Sequence, residues 1–499
     1  MGVWNYHRSM SSASTTVESV AQRIARCRIV QEKWRERSIR DRLRPVRALR
    51  RFLVEECDSI CEALAKDVHK SAEEAIGGDI LPLADALKFL EQQAGKLLKP
   101  RTVPRRQLPV WLWPQRDIIH RRPRGIVGII GTWNYPVFLN GVHLAQALTA
   151  GNGVIWKPSE VAPASAAALH SLILRAGYPA DLVQVLDSRR ETGQELAEGD
   201  VDHIVFTGSS TTGQALAATL GRRLVSSSLE LSGCDAMFIL EDADIPLAAR
   251  AAWFGATANR GQTCIAVRRA FVQRSAYPQF LAALELLAAG AAPVLQALSA
   301  QVEQAERLVQ EAVAGGGRLL TPKPPTLDGT MCVPMIVADA RPDMALCREA
   351  TFAPVMAVLP YDTLDEAVQM NRECPYGLGA SIFSRQHRFA AELAKRIRAG
   401  MITINDVIAP TVHPATPFGG LGRSGWGVTQ GAEGLLEMTV PQVVSTRGGS
   451  FRPHYDMSAG SKVGHGELVR GILNLSHATS LRERIKGMWH VLRAAWRGN

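Results

Sequence analysis

Along residues 17 to 98 apolar positions return at intervals of three and four, as in Val46, Leu49, Phe52 and Leu53, with Arg and Glu between them. That spacing predicts a lead-in of amphipathic helices. From 118 the period changes: IIHRRPRG reads as a short strand and turn, and IVGIIG as an apolar run of the kind buried in a parallel sheet. GVIWKP, LVQVL and HIVFTGS follow at helix-separated intervals, which predicts an α/β sheet. A second α/β stretch begins near 236 with MFIL, passes through a helical segment at 281 to 314, and continues with PVMAVLPY and GMITIND. Pro and Gly punctuate 315 to 330, Gly, Pro and Thr dominate 410 to 440, and 451 to 499 reads as an appended tail.

With 46% apolar and 21% charged residues over 499 positions, wholesale disorder is excluded and two or three domains are expected. Lys and Arg outnumber Asp and Glu by 57 to 47, mostly in the N-terminal third and the tail. No zinc-finger, aromatic RNA-binding or helix-turn-helix pattern accompanies them, so nucleic acid is not the expected partner. Eight cysteines without a C-x-x-C pair argue for a reducing compartment and against structural zinc. The first sixteen residues lack the apolar core of a signal peptide, and no stretch approaches the roughly 18 apolar residues of a membrane span. A cytoplasmic protein is expected.

Cys264 stands in ANRGQTCIAV, behind a Gly that permits an unusual backbone angle, a setting for an exposed sulfur at a turn; an inert buried thiol is the plain alternative. In SSSLELSG, Glu230 is flanked by Leu229 and Leu231, so its carboxyl should resist ionisation and suit proton transfer near neutral pH, unless an Arg pairs with it. Asn134 of TWNYP follows a predicted strand, where its amide can donate to a developing oxyanion or act as a turn residue.

FTGSSTTG joins a strand to a turn from Gly208 to Gly213 and then a helix, offering free amides, with Ser209, to a pyrophosphate. In VIWKPSE, Lys157 and Glu160 lie just past a strand end, placed for a ribose or, more plainly, a surface ion pair.

In this order, WNYP, WKPSE, FTGSSTTG, LELSG, GQTC, TFAPV and PFGGLGRSGWG resemble the aldehyde dehydrogenase superfamily over roughly residues 20 to 445. ITINDVIAP before PFGG is most similar to the class 3, fatty-aldehyde and coniferyl-aldehyde branch. The resemblance implies a Rossmann-type NAD(P)-binding domain (1–106 and 125–230), an α/β catalytic domain (231–405) and a small β oligomerisation element (107–124 and 406–450). It implies a homodimer and no metal.

Carried over by residue, it makes Cys264 the nucleophile, Glu230 the general base and Asn134, with the Cys264 backbone N–H, the oxyanion donor. Lys157 and Glu160 would take the adenosine ribose of NAD, or of NADP. Gly208, Ser209, Gly213, Leu231, Gly233, Phe352 and Trp133 fall on the cofactor side, and Tyr135 and Phe418 along the nicotinamide or substrate path. The expected substrate is a hydrophobic aliphatic or aromatic aldehyde. An acylating enzyme and a catalytically impaired membrane-associated scaffold are the other readings.

Two departures bear on activity. The family's ribose-binding Glu is Ala350 here, with Glu349 one place off, and Ala353 replaces a Gly. In the tail, Leu481, Ile485, Met488, Trp489, Leu492 and Trp496 recur at helical spacing beside Arg482, Lys486, Arg493 and Arg497. This basic amphipathic helix suits either a peripheral contact with the inner face of a membrane or packing against a partner subunit or the substrate mouth.

Overall fold

The protein is described by a computed structural model covering residues 18–321, 329–449, 455 and 465–497. The first sixteen residues and the side chain of Trp496, both read in the sequence, lie outside the described part. Two compact units form: one holds the described residues up to Leu97 together with Pro123–Thr439, the other Leu98–Arg122 and the described residues from Val440 onward.

The larger unit opens with helices Val20–Arg35, Ile39–Glu55, Cys57–Val68 and Leu81–Leu97, as the three- and four-residue spacing predicts. A π-helical turn, Ile76–Ile80, leads directly into the last of them. Behind these helices stands a first sheet with strands β1 (Ile126–Ile130), β2 (Gly153–Lys157), β3 (Val183–Val185), β4 (His203–Gly208) and β5 (Ser226–Leu231). Its order is β5, β4, β1, β2, β3, all parallel, with Gly425–Trp426 added antiparallel outside β5. β1 and β2 are buried throughout, which is why they read as continuous apolar runs rather than alternating ones.

A second sheet carries β6 (Asp235–Ile239), β7 (Val267–Gln273), β8 (Met335–Ala338), β9 (Val355–Tyr361), β10 (Gly379–Phe383) and β11 (Met401–Ile404). The order is β8, β9, β7, β6, β10, β11, again parallel, with Arg318–Leu319 antiparallel at the β8 edge. Apolar clusters fill both faces of this sheet. The family-like α/β architecture with two sheets is as expected.

Three boundaries differ from the sequence reading. The helical segment at 281 to 314 is two helices, Tyr277–Ala288 and Ser299–Ala314, because Gly290 and Pro293 interrupt it and Val294–Leu295 pairs with Met331–Cys332. The helix after β4 starts at Ser210, so Gly213 lies in its first full turn rather than in a loop. Residues 406 to 439 belong with the larger unit, since Gly425–Trp426 continues the first sheet.

The smaller unit holds, apart from the terminal strand residues Pro123 and Thr439, a three-stranded sheet in the order Arg101–Thr102, Gln115–Pro123, Thr439–Arg447. It also holds a helical hairpin, His465–His477 and Leu481–Arg497. The hairpin closes at Gly471 and Gly487, where a Cβ would stand 2.9 Å and 2.7 Å from the facing glycine's carbonyl oxygen.

Candidate active site

The carboxyl ends of β1, β2, β4 and β5 lie along one edge of the first sheet, the edge where open parallel sheets bind ligands. Lys157 ends β2, Gly208 ends β4, Leu231 ends β5, and Thr132, Trp133 and Asn134 follow β1. A cavity of about 30 Å³, room for a water molecule, opens there. Asn134, Glu230 and Cys264 all line it, with Thr132, Leu139, Thr207, Gly208, Leu231, Ser232, Phe352, Leu378 and Phe418.

Cys264 is delivered by a strained turn. Asn259, Arg260 and Gly261 are all left-handed, with φ of 50°, 59° and 75°. Strain of this kind persists only where surrounding contacts over-determine it. Here Asn259 Nδ2 donates to the carbonyls of Asn134 and Gln262 at 3.0 and 3.1 Å. Gly261 is required twice over, by its φ and because a Cβ would sit 2.3 Å from the Ala353 carbonyl carbon. The buried Arg268 guanidinium ties these segments together, donating to the carbonyl oxygens of Gly261, Ala353 and Val355. Only the doubled Arg inside the apolar strand VRRAFV hinted at it in the sequence.

The Cys264 thiol is pushed up to about 12, first by burial and then by the carboxyls of Glu230 and Asp235, so the resting sulfur is protonated. Glu230 is buried, and desolvation raises its carboxyl to about 7 against the opposing hydrogen bond from Thr429. No arginine pairs with Glu230 among the described residues, which removes the plain ion-pair reading. Thr429 is carried there by Gly425, which pairs with Glu230 in register. At Gly425 φ is +100° and a Cβ would meet the Leu229 carbonyl oxygen at 1.9 Å.

Asn134 accepts from Thr132 Oγ1 at 2.8 Å through Oδ1 and donates from Nδ2 to the Gln262 carbonyl at 3.1 Å. One Nδ2 hydrogen therefore fixes the amide and the second is left for a ligand. Below it, Asp79, on the π-helical turn, accepts the amides of Val137 and Phe138 at 3.0 Å each and takes the Lys70 ammonium at 2.5 Å. Lys70 lies over the Tyr135 ring, and Tyr135 Oη meets Thr263 Oγ1 at 2.8 Å. Tyr135 is thus a brace between the Asn134 and Cys264 loops rather than a wall of this cavity, because adjacent residues project in different directions. The Lys70 and Asp79 contribution had no signal in the sequence, since it depends on the packing of distant helices. Phe418 does line the cavity.

On the cofactor side, Lys157 Nζ lies 3.3 Å from Glu160 Oε2, and Glu160 Oε1 takes Arg190 Nε at 3.1 Å. Arg190 was missed by sequence reading, being thirty positions away. Ser209 caps helix Ser210–Arg222, accepting the Thr212 amide, and leaves earlier first-turn amides at the edge of the crevice. Gly213 serves packing: a Cβ there would lie 2.5 Å from Leu231 Cδ2. The Leu231 amide donates to the Ser424 carbonyl, and at Gly233 a Cβ would meet the Cys264 carbonyl oxygen at 2.5 Å. The Trp133 and Phe352 rings face each other at 5.9 Å. A buried cation with a neighbouring carboxylate and open helix amides fit a dinucleotide.

Glu349 turns away from the crevice to Arg307, 3.0 Å off, while the Phe352 amide donates to Gln301. It does not stand in for a carboxylate at Ala350.

The sequence profile of the Aldehyde dehydrogenase family matches residues 5–444. The chain is 33% identical over 431 residues to 4,4'-diapolycopene aldehyde oxidase of Methylomonas sp, covering 85% of this chain and 80% of that protein. Among solved structures it resembles NADP-dependent glyceraldehyde-3-phosphate dehydrogenase from Bacillus halodurans, complexed with NADP, at TM-score 0.80 and 28% identity. That match covers 85% of this chain and 90% of the other. Mycobacterium tuberculosis aldehyde dehydrogenase complexed with NAD+ matches at TM-score 0.79 and 28% identity, over 84% and 88% of the two chains.

Proposed function

The chain belongs to the aldehyde dehydrogenase family and oxidises aldehydes with NAD or NADP, and on that premise we propose that Cys264 is its nucleophile, Glu230 its general base and Asn134 its oxyanion donor. The observation that carries this reading is that the three side chains, from distant parts of the chain, line one narrow cavity.

An aldehyde carbon gives up hydride only after something adds to its carbonyl, and a thiolate adds readily and later leaves. The Cys264 thiol passes its proton to Glu230, and the sulfur attacks. The second Nδ2 hydrogen of Asn134 and the Cys264 backbone N–H hold the resulting oxyanion. Bound NAD or NADP supplies the acceptor for the hydride released as the carbonyl re-forms. Glu230 sheds the thiol proton to solvent and, ionised again, deprotonates the water that hydrolyses the Cys264 thioester; the sulfur leaves as a thiolate, and the acid is released. Lys157 and Glu160 would hold the adenosine ribose, Gly208 and Ser209 the pyrophosphate, and Trp133 and Phe352 would flank the nicotinamide end. Retention of Glu230 favours hydrolysis over acyl transfer to a second thiol.

Leu139, Phe352, Leu378 and Phe418 give the cavity apolar walls, and a relative is named for the aldehyde of diapolycopene. Both favour a hydrophobic aldehyde. The test is NAD and NADP reduction by the wild type and Cys264→Ala over aliphatic, aromatic and polyene aldehydes. Turnover confined to apolar substrates and lost in the variant supports the reading; turnover surviving in Cys264→Ala rejects it.

The small unit suggests two associations. Thr439–Arg447 is an edge strand with Val443 and Val444 exposed, suited to pairing with a second copy in a homodimer. On the helical hairpin Leu473, Leu481, Ile485, Trp489 and Leu492 are exposed beside Arg482 and Arg493, suited to an anionic membrane surface. Light scattering of the purified chain tests the first. Sedimentation with anionic and neutral vesicles, comparing wild type with Trp489→Glu, tests the second, and equal partitioning of the two proteins rejects it.

A further inference from the structure

His143 lies in the middle of helix Phe138–Ala150, every residue of which is buried. Its Nε2 stands 3.2 Å from Thr207 Oγ1 and 3.8 Å from Glu230 Oε2, while its Nδ1 is buried without a partner. Thr207 on β4 and Glu230 on β5 are directly paired in the parallel register. Their side chains therefore leave the sheet on one face, and the imidazole meets both.

An imidazole inside a buried helix is costly unless its polar edge is used. A proton on Nδ1 would leave an orphaned donor and turn the bare Nε2 lone pair toward a carboxylate. A proton on Nε2 instead gives the N–H two oxygen acceptors, Thr207 and Glu230, and leaves only an acceptor unpaired. Burial holds the ring's protonation down to about 4, so the imidazole is neutral at working pH.

We propose that His143 is a positioning residue for aldehyde oxidation: its neutral Nε2–H steadies Glu230 Oε2 while the Thr429 hydroxyl steadies Oε1, aiming the carboxylate at the hydrolytic water and favouring its ionised form. At 3.8 Å the first contact exceeds hydrogen-bond length, so in the resting site the N–H goes to Thr207. Catalytic contacts of this kind shorten once the site is loaded. The titratable groups facing Glu230 are His143, from the buried helix, and Cys264, from the strained turn; β4 and the segment after Gly425 contribute the hydroxyls of Thr207 and Thr429.

The inference rests on Glu230 being the base, and the experiment separates the two. Steady-state turnover between pH 5.5 and 9 and the single-turnover burst of reduced cofactor are measured for wild type, His143→Phe, His143→Gln and Glu230→Gln. In His143→Phe the acid limb of turnover should move up by about one pH unit, a roughly tenfold loss on the acid side, with the burst at full amplitude above the limb. His143→Gln, which restores an N–H near Nε2, should fall within a few tenths of a unit of the wild type. If Glu230→Gln keeps wild-type turnover and limb, the base reading itself fails. If it stops turnover while His143→Phe leaves the limb in place, the His143 proposal is overturned and the base stands. Should the Phe variant not fold, His143→Asn, whose amide stops short of Glu230, is judged by the same criteria.

Discussion

Thr429 donates its hydroxyl hydrogen to Glu230 Oε1, although 199 residues separate the two. This contact works against the burial that raises the carboxyl to about 7. As a base Glu230 acts only when ionised, so turnover limited by hydrolysis should fall as pH drops below about 7. Thr429→Val removes the stabilising donor and should shift that limb upward by roughly one pH unit. A pH–rate profile checks it, and an unmoved limb contradicts the assignment.

The same carboxyl has a stability consequence. Its folded pKa lies above the unfolded value of 4.5, so the folded chain binds the extra proton more tightly between those values. Stability contributed by this group is complete below about 4.5 and is lost as pH rises through about 7. Glu230→Gln should therefore gain stability relative to wild type on going from pH 4.5 to 8, by roughly 2 to 4 kcal/mol. Denaturant unfolding at the two pH values measures the difference.

With its thiol pushed up to about 12, Cys264 should alkylate slowly in the cofactor-free protein near neutrality. The rate of its modification by iodoacetamide should keep rising with pH through 9, without a plateau. Peptide mapping of the labelled sulfur follows it. A plateau near pH 7 would mean that a thiolate already exists in the resting site.

Ala350→Glu places a carboxylate where Glu349, held by Arg307, cannot reach. Cofactor affinity or hydride transfer should improve by roughly tenfold, the value of one charged hydrogen bond to a ribose hydroxyl. Titration of reduced cofactor fluorescence and the burst rate report the two separately. No gain in either would show that the crevice holds the ribose without this carboxylate.

Arg190 offsets the charge of Glu160, a carboxylate that by itself would repel a 2′-phosphate. Its guanidinium is free to turn to that phosphate, so Arg190→Ala should weaken NADP by about tenfold while changing NAD little. Equal losses for both cofactors would assign the residue to Glu160 alone.

The periodicity in the sequence made the helical lead-in and the parallel strands legible, because burial on both faces writes an uninterrupted apolar run. It blurred the interval from 289 to 298, where a short pairing with Met331–Cys332 separates two helices that a one-dimensional pattern joins. Motif order likewise brought out Cys264, Glu230 and Asn134. What holds them was barely visible: Asp79 and Lys70 stand in no motif, Arg268 left only a doubled Arg in an apolar strand, and each acts on a segment far along the chain.

The sequence by itself determined which chemical groups this protein carries and the order in which its strands and helices arise, since both follow from residue type and local spacing. Tertiary structure alone decided that Glu230 has no arginine partner among the described residues, that Tyr135 braces rather than lines the cavity, and that Arg190 reaches Glu160. Desolvation, hydrogen-bond geometry and the direction in which a side chain leaves the backbone depend on what is packed beside it, and in this fold those neighbours come from other elements.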